Sequence, residues 1–182
     1  MTESYPVDNS THASTIKGSG DFTRSVGSLK PGDQVGIQGA FGRFSHLLEP
    51  GQRSLVFIAG GIGITPFMSM LRYMHDTKDD REVLLFYANR SEEDIAFRKE
   101  LDGIAASASP HLRVVHVLDA PAAEWRGEKG RIDRPLLEKY AKDFNLKLFY
   151  LCGPPPMMNG LASMLIDAGV PPRKIRTERF AL

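Results

Sequence analysis

Residues 54–74 read SLVFIAGGIGITPFMSMLRYM. The apolar run Leu55–Ala59 ends at three closely spaced glycines, and short apolar runs closed by glycine are typical of buried parallel strands. Thr65 is a suitable helix cap, and Pro66 fits the first helical position without losing a hydrogen bond. The apolar residues that follow have helical spacing: Phe67, Met70, Leu71 and Met74. The stretch therefore predicts a strand, a glycine turn and a helix.

The glycine turn at Gly60, Gly61 and Gly63 suits a bound anion. Glycine lets a ligand approach the backbone closely, and the N–H groups at a helix start favour negative charge. A nucleotide pyrophosphate is the ligand that this arrangement predicts. Pro66 stands where a dinucleotide-binding fingerprint has its third glycine, so a second interpretation, in which the glycines only make a tight turn, stays open.

Composition limits the class of protein. The chain has 182 residues, 42% of them hydrophobic and 25% charged, and a formal net charge of +1. This balance argues against binding nucleic acid or a membrane surface through bulk charge. No run approaches the roughly 18 apolar residues of a membrane-spanning helix, and the N-terminus lacks the pattern of a signal peptide. We expect a cytoplasmic protein that can associate with a membrane partner.

Cysteine and histidine give no sign of a metal site. Cys152 is the single cysteine, which excludes an internal disulfide and a four-thiolate iron–sulfur cluster within this chain. The five histidines lack metal-ligand spacing. His116 falls in a predicted strand, where we expect a hydrogen-bonded core or edge residue. We therefore predict no metal.

From residue 53 onward, strand and helix patterns alternate. Strands are predicted near Leu55–Ala59, Val83–Ala88, Leu112–Leu118, Leu146–Cys152 and Lys174–Thr177, and helices near Thr65–Asp76, Glu92–Ala106, Asp133–Phe144 and Pro156–Ala168. This alternation predicts an α/β domain over residues 52–182 with a doubly wound, mostly parallel five-stranded sheet. Ligands of such sheets bind at the carboxyl ends of the strands.

The second predicted strand ends at Asn89, Arg90 and Ser91, with Asp94 one helical turn later. An adenosine ribose would lie here if the glycine turn holds a pyrophosphate. Arg90 suits a 2′-phosphate and so favours NADPH, whereas Asp94 would repel that phosphate and favour NADH. Both nucleotides stay open, and so does a helix start with solvated charges at Glu92 and Glu93.

Two further strand ends carry distinctive residues. Cys152 ends a buried strand and is followed by Gly153 and Pro154, and no obvious His or Lys partner near it in sequence marks it as an activated nucleophile. It is either a small buried hydrophobe or part of a site. Glu178 and Phe180 lie one pleat apart on the last strand, so they point to the same side. Ordinary terminal side chains are the alternative.

The N-terminal quarter has no complete hydrophobic pattern. We expect a flexible segment at residues 1–13, followed by a partial β domain at residues 14–51. Within it, the sequence suggests a strand at Ser14–Lys17, a short helix at Asp21–Val26 capped by Asp21, a turn at Pro31-Gly32, and a strand at Gln34–Gln38.

Together these motifs resemble the ferredoxin–NADP reductase superfamily, in its bacterial oxidoreductase and ferric-reductase-like branches. The motifs GGIGITP, YANRSEEDIAFRKEL, LCGPPPMM and TERF occur in the family's order, and the resemblance covers about residues 14 to 182. Four ordered motifs are far more specific than any one of them. In this family, hydride passes from NAD(P)H to bound FAD, which then releases electrons to an acceptor.

The resemblance assigns roles to individual residues. Those matching the nucleotide-binding motifs are Gly60, Gly61, Gly63, Thr65 and Pro66 (pyrophosphate), Asn89, Arg90, Ser91 and Asp94 (adenosine ribose), and Gly153, Pro154 and Met157 (nicotinamide-side loop). Three residues look like the catalytic set: Cys152 beside the reacting carbon, Glu178 orienting the nicotinamide or relaying protons, and Phe180 covering the flavin ring until nicotinamide displaces it.

The flavin side resembles the family only in part. Gly20, Phe22 and Thr23 look like the FAD pyrophosphate loop, and GAFGRF at residues 39–44 looks like the end of the flavin β-barrel. The earlier barrel strands and the family's Arg-x-Tyr-Ser motif are absent. We therefore expect an incomplete barrel, weak FAD binding by this chain alone, and a partner chain that completes the flavin domain.

The resulting functional hypothesis is an NAD(P)H-dependent flavin oxidoreductase that reduces an acceptor protein or small molecule. The alternative is a non-catalytic module or subunit that binds a nicotinamide nucleotide without its own flavin. The missing flavin strands make that alternative serious. The sequence does not select the acceptor.

Overall fold

The computed structural model describes residues 3–4, 13–18, 20–36 and 42–180 of the chain. In chain order its helices and strands are β1 (Glu3–Ser4), β2 (Ala13–Ser14), α1 (Asp21–Ser25), β3 (Ser54–Gly60), α2 (Thr65–Asp76), β4 (Glu82–Asn89), α3 (Arg98–Ala105), β5 (His111–Leu118), β6 (Glu128–Lys129), α4 (Arg134–Tyr140), β7 (Leu148–Cys152), α5 (Pro155–Asp167) and β8 (Ile175–Glu178). Short 3-10 helices lie at Val26–Ser28, His46–Leu48, Gly61–Ile64, Phe144–Leu146 and Pro172–Lys174.

The main sheet has six strands in the order β6-β5-β4-β3-β7-β8, and all neighbouring strands are parallel. The predicted fold class is confirmed, but the predicted count of five strands is one short. The additional strand, β6, contains only Glu128 and Lys129, which pair with Val117 and Leu118. Two charged residues have no apolar pattern, so this strand was not predictable from hydrophobic periodicity.

Helices cover both faces of the sheet. One face of β3 carries Leu55 and Phe57, which pack in a core with α2 and α3. The other face carries Val56 and Ile58, which pack with α4 and α5. Because β3 is buried on both sides, it reads as a continuous apolar run, as central parallel strands do.

The direction of strand addition reverses at β3. The chain runs from β3 to β4 and β5 on one side, and later adds β7 and β8 on the other. Ala59 pairs with Cys152, so the carboxyl ends of β3 and β7 lie next to each other. Crevices at such reversal points are the usual ligand sites of open α/β sheets.

Helix α3 is shorter than the predicted Glu92–Ala106 because its first turns do not form. The Asp94 carboxylate accepts hydrogen bonds from the backbone N–H and hydroxyl of Ser91, at 3.2 and 3.1 Å. Such local bonds from Ser and Asp compete with helix formation. Phe97 then adopts a left-handed backbone with φ of 60°, and the helix begins at Arg98.

Helix α4 also ends before the predicted Phe144. Asp133 caps its start, since a carboxylate oxygen accepts from the Leu136 N–H at 2.9 Å. The backbone turns extended at Ala141, and Asp143 has a φ of 53°. A 3-10 turn follows, so β7 begins at Leu148, two residues after the predicted strand start. Helix α5 and the other predicted strands of the main sheet agree with the structure to within one residue at each end. The predicted strand Ser14–Lys17 is wrong beyond Ser14, because β2 covers only Ala13–Ser14.

The described N-terminal residues do not confirm a barrel remnant. β1 pairs with β2 antiparallel over two residues each, and α1 forms where a short helix was predicted. Gly20 rather than Asp21 occupies the cap position, so the predicted cap is wrong. No residue in 14–18 or 20–36 is buried, and residues 33–36 have no regular structure. The predicted ends of the Gln34–Gln38 strand and of the barrel, residues 37–41, lie outside the described residues, as do residues 1–2 and 5–12 of the predicted flexible segment.

The segment just before β3 is attached to the core by aromatic contacts. The Phe44 ring lies 5.7 Å from Phe67 and 5.2 Å from Tyr150, measured between centroids. The Tyr150 hydroxyl donates to the Ser45 carbonyl at 3.1 Å. These contacts connect residues 44–45 to α2 and β7.

Within the described ranges, no helix has the length and apolar character needed to cross a membrane.

Candidate functional site

The turn after β3 has a backbone that requires glycine. Gly61 has a φ of +53°, and a methyl carbon added to it would meet no atom within 4 Å. Gly61 therefore combines a left-handed backbone with open space in front of it. The 3-10 turn places Thr65 as the first helical residue, with its hydroxyl donating to the Ile62 carbonyl at 3.1 Å. The predicted cap at Thr65 is therefore wrong, and Pro66 is the second helical residue rather than the first.

Gly63 brings this turn against the end of β7. A methyl carbon on Gly63 would lie 2.2 Å from the carbonyl oxygen of Cys152 and 2.8 Å from the amide nitrogen of Gly153. Any side chain here would displace one backbone from the other. The glycines were predicted to allow a ligand to approach, but at Gly63 the group that approaches is the neighbouring loop of the same chain.

Met157 lies over both turns. A methyl carbon on Gly60 would be 2.8 Å from the Met157 Cε and 2.8 Å from the Pro154 Cδ, and one on Gly153 would be 2.7 Å from the same Cε. The structure thus brings the predicted pyrophosphate turn and nicotinamide-side loop into direct contact. We refer to Gly60–Gly63 and Cys152–Pro154 together as the joined turns.

Cys152 forms the buried end of β7. It is fully buried and pairs across the strands with Glu178. Burial, with a further contribution from the negative charge of Glu178, raises the pKa of the Cys152 thiol to about 12. The thiol is therefore neutral at physiological pH, and this environment does not favour a thiolate nucleophile.

Phe180 lies on the same side of the sheet as Cys152. It is half-buried and packs against the core cluster that contains Cys152. Glu178 precedes it by one pleat and is half-exposed. The predicted thiol, carboxylate and ring therefore gather at one edge, beside the joined turns. Their catalytic roles stay predictions.

The residues at the end of β4 lie at the same carboxyl edge of the sheet as the joined turns. Asn89 is buried, at 8% exposure, whereas Arg90 and Asp94 are exposed. The Asp94 carboxylate holds Ser91 through the two hydrogen bonds described above. The segment thus presents one cation and one carboxylate at the surface, and both cofactor alternatives remain.

The loop after β5 lies beside the residues at the end of β4, and it was not predicted as part of the site. The Asp119 N–H donates to the Asn89 carbonyl at 3.0 Å, and the Ala120 N–H to the Arg90 carbonyl at 2.8 Å. Trp125 follows, with the Arg98 guanidinium 5.7 Å from its ring centroid. A single tryptophan soon after a predicted strand end was the available signal.

Tyr87 and His116 are also polar groups that the sequence argument did not place at the site. They pair across β4 and β5, and their ring centroids are 5.9 Å apart. Both ring nitrogens of His116 are buried with no hydrogen-bond partner in the described structure. The expectation of a hydrogen-bonded core histidine is therefore wrong.

The predicted flavin-loop residues are not part of this edge. Gly20 donates its N–H to the Thr23 hydroxyl at 3.0 Å, within α1. Phe22 is 71% exposed, so its ring does not pack against the joined turns. Over the described residues, no group of three His, Cys, Asp or Glu side chains is placed to hold a metal ion.

The family follows from a sequence match over the region that builds this edge. Residues 57–163 match the family model of the oxidoreductase NAD-binding domain. The chain belongs to that family. This NAD-binding domain is part of the ferredoxin–NADP reductase superfamily and is similar to cytochrome b5 reductases, which confirms the predicted superfamily.

Two relatives show the extent of the likeness. The chain is 32% identical to NADH-cytochrome b5 reductase 2 of Scheffersomyces stipitis over an alignment of 167 positions, which covers 86% of this chain and 55% of the relative. It is 34% identical to the NADPH nitrate reductase of Aspergillus niger over an alignment of 165 positions, which covers 85% of this chain and 19% of the relative. It thus spans about half of the first relative and about a fifth of the second.

Solved structures agree with this placement. The cytochrome b5 reductase domain of Ulva prolifera nitrate reductase has a TM-score of 0.78 at 28% identity, covering 87% of this chain and 66% of that one. The CS-b5R domains of human Ncb5or in the NAD+ form have a TM-score of 0.76 at 30% identity, and the match covers 89% of this chain and 46% of that one. A ferredoxin NADP+ reductase from Neisseria gonorrhoeae with bound FAD and NADP has a TM-score of 0.72, and the match covers 90% of this chain and 71% of that one. Its sequence identity is 23%, so this likeness supports the fold alone.

Proposed function

We propose that the joined turns bind NAD(P)H and that the chain is the hydride-donating half of a flavin-linked oxidoreductase. The observation that carries this proposal is the contact of Gly63 with Cys152 at the ends of β3 and β7, which unites the pyrophosphate and nicotinamide sides. The relatives named above include an NADH- and an NADPH-dependent enzyme.

The residues of the joined turns fit a dinucleotide. Gly61 leaves open space where a pyrophosphate must approach, and the 12-residue helix α2 begins four residues later. Helix starts present N–H groups and a partial positive charge to phosphates. The pyrophosphate therefore meets backbone, not side chains, at Gly61.

The nicotinamide end is proposed to lie beside Cys152. A neutral, buried thiol offers an apolar contact, and Glu178 supplies a carboxylate on the neighbouring strand. Phe180 provides an aromatic cover on the same side of the sheet. Hydride transfer depends on orientation and exclusion of water more than on a strong base, and these three residues provide both.

The flavin-side residues fit FAD less well. A bound flavin would accept hydride and release electrons singly or in pairs. However, the described residues 14–18 and 20–36 bury no side chain, so they do not form a cradle for a flavin ring. We therefore propose that a further chain completes the flavin domain, and that the acceptor is a protein or small molecule, with cytochrome b5-like haem proteins suggested by the relatives' names.

Gly61→Ala tests the proposed dinucleotide site. Its methyl group would project into the open space in front of the turn, so we expect NAD(P)H affinity to fall at least about tenfold, the effect of losing roughly 1.4 kcal/mol. Gly169→Ala is the matched control, because Gly169 also has a positive φ, +87°, and no neighbour within 4 Å, but follows α5 at the other end of that helix. Isothermal titration with NADH and NADPH measures both variants.

The wild-type titration separates the two functions. Binding, together with reduction of added FAD, supports the oxidoreductase. Binding without reduction of FAD, dyes or ferric chelates supports the alternative module, which the exposed N-terminal segment favours. If millimolar NADH and NADPH leave both the heat signal and the melting temperature unchanged, the proposed site is wrong. Equal losses in Gly61→Ala and Gly169→Ala would show that backbone strain, not blocked access, is responsible.

A further inference from the structure

A cluster of unpaired polar groups lies inside the domain at the carboxyl ends of β4 and β5. Seven buried side-chain polar atoms in the described structure have no hydrogen-bond partner, and five of them belong to Tyr87, Asn89 and His116. Such groups are rare in native proteins, since each destabilises the fold when it is left without a partner. Three of them in one place call for a physical reason.

The sheet brings these three side chains to the same face. Tyr87 and Asn89 are two residues apart on β4, so their side chains point the same way. His116 is the cross-strand partner of Tyr87 on β5. Tyr87 is fully buried and Asn89 is 8% exposed. The rest of this face is an apolar core, in which Phe or Leu would pack at no such cost.

The segment at residues 90–97 lies next to this cluster. Burial raises the pKa of Tyr87, and the nearby Asn89 side chain and Ala96 backbone oppose this effect. Ile95 of the segment is buried in the same core cluster as Tyr87, so the Tyr87 hydroxyl, which has no hydrogen-bond partner in the described structure, lies beside the segment. Ala96 belongs to the segment that carries Arg90, Ser91 and Asp94.

The first turns of α3 close the cluster on the other side. Burial lowers the pKa of His116, with the Arg98 charge adding to the effect and the Asp102 charge opposing it. Both residues belong to α3, whose start is fixed by the same 90–97 segment. The neutral His116 imidazole thus lies near β4, which ends where the 90–97 segment begins, and near α3, which begins where the segment ends.

We propose that Tyr87, Asn89 and His116 are positioning residues for the adenosine half of the nucleotide. Their polar atoms, which have no partner in the described structure, form hydrogen bonds to the 90–97 segment when the nucleotide binds, and these bonds hold Arg90 and Asp94 beside the ribose. The proposal rests on the function proposed above and extends it to residues beneath the site that do not touch the nucleotide. Apolar side chains at these three positions would pack equally well, but they could not form hydrogen bonds to the 90–97 segment.

The variants Tyr87→Phe and His116→Phe test this role because each removes polar atoms and keeps a ring. The ligands are NADH, ADP-ribose as the adenosine half, and reduced nicotinamide mononucleotide as the other half. Loss of one hydrogen bond corresponds to about a fivefold weakening. We expect that weakening for NADH and ADP-ribose in each variant, and an unchanged affinity for the mononucleotide.

His46→Phe is the matched control. His46 is also a buried histidine with two unpaired ring nitrogens, but its carbonyl accepts from Arg81, just before the start of β4 and thus at the opposite edge of the sheet. We expect it to leave all three affinities unchanged. Thermal unfolding of every variant confirms that it is folded, and replacement of unsatisfied groups by apolar rings of similar shape is expected to be tolerated.

The outcomes separate the two proposals. If wild-type protein binds NADH and the two variants bind NADH and ADP-ribose equally well, the positioning role is wrong and the proposed function stands. A parallel loss for the mononucleotide would also overturn the positioning role, because it would indicate general damage. If wild-type protein binds none of the three ligands, the proposed function is wrong and this inference with it.

Discussion

His46 shows how one residue makes stability depend on pH. It is 2% exposed, and burial, with the nearby Arg81 charge, lowers its pKa from 6.5 to about 4, against a smaller opposing effect of Asp79. Both charged neighbours belong to one ion pair, in which Arg81 is buried and Asp79 is partly buried. Protonating His46 would therefore place a second cation beside Arg81, where burial reduces screening by water.

The sign of this dependence follows from the lowered pKa. The unfolded chain binds a proton at His46 below about pH 6.5 and the folded chain does not, so stability is complete above that pH and falls towards pH 4. At pH 5 the loss amounts to about 2 kcal/mol, from 1.36 kcal/mol per pH unit. Urea unfolding at pH 7 and pH 5 measures the loss. Between pH 7 and pH 5, we expect the free energy of unfolding of His46→Phe to fall by about 2 kcal/mol less than that of wild type. Equal losses in both proteins would show that His46 does not cause the pH dependence.

For individual residues, the sequence predicted which side chains lie at the site better than it predicted which of them are in contact. It named Gly63, Cys152 and Glu178, but it did not show that Gly63 touches the Cys152 backbone, because that contact depends on which strands are neighbours. Tyr87 and His116 were missed for the same reason. Each lies in a predicted strand, yet their pairing is set by the register of β4 against β5.

At the element scale, the predicted order of strands and helices agrees with the structure, and the errors are local. α3 loses its predicted first turns to the Ser91–Asp94 hydrogen bonds, and α4 loses its last turn where the backbone becomes extended at Ala141. Periodicity reports which face of a segment is apolar, but not where a side chain outcompetes the helix for backbone groups. β6 has no apolar face at all and was missed.

Helices α2 and α3 are connected by an ion pair that should stabilise their packing. Arg72 donates to both carboxylate oxygens of Glu100, at 2.6 and 2.9 Å, and its guanidinium lies 5.4 Å from the centroid of the Phe97 ring. Bidentate geometry and partial burial both strengthen such a pair. The Arg134–Glu138 pair within α4 is more exposed, at 52% and 51%.

A double-mutant cycle compares the two pairs. For Arg72→Met with Glu100→Gln we expect a coupling free energy of about 1 kcal/mol. For Arg134→Met with Glu138→Gln we expect about 0.3–0.5 kcal/mol, the usual value for an exposed pair one helical turn apart. Urea unfolding of the single and double variants gives both values. Equal couplings would mean that the pair between α2 and α3 contributes no more than an exposed pair within one helix.

Taken as a whole, the described structure has a packed α/β unit and, before it, residues 14–18 and 20–36, none of which is buried. Phe44 and His46, in contrast, contact α2, β7 and the residue just before β4. Composition predicted an incomplete N-terminal part. It did not predict that residues 44–48 belong structurally to the nucleotide-binding unit, since their contacts are with residues far along the chain.

Two truncations test this division. A chain that begins at residue 43 keeps Phe44, Ser45 and His46, so we expect its melting temperature and NAD(P)H affinity to remain close to those of the full chain. A chain that begins at residue 50 loses the Phe44 ring contacts and the Tyr150 hydrogen bond to Ser45. Phe44 is only partly buried, so losing its ring together with the hydrogen bond to Ser45 costs about 2 kcal/mol, and we expect the second truncation to melt at least about 5 °C lower. If both truncations melted at the same temperature, residues 44–48 would not be part of the folded unit; if the first lost nucleotide binding, the N-terminal segment would contribute to the site directly.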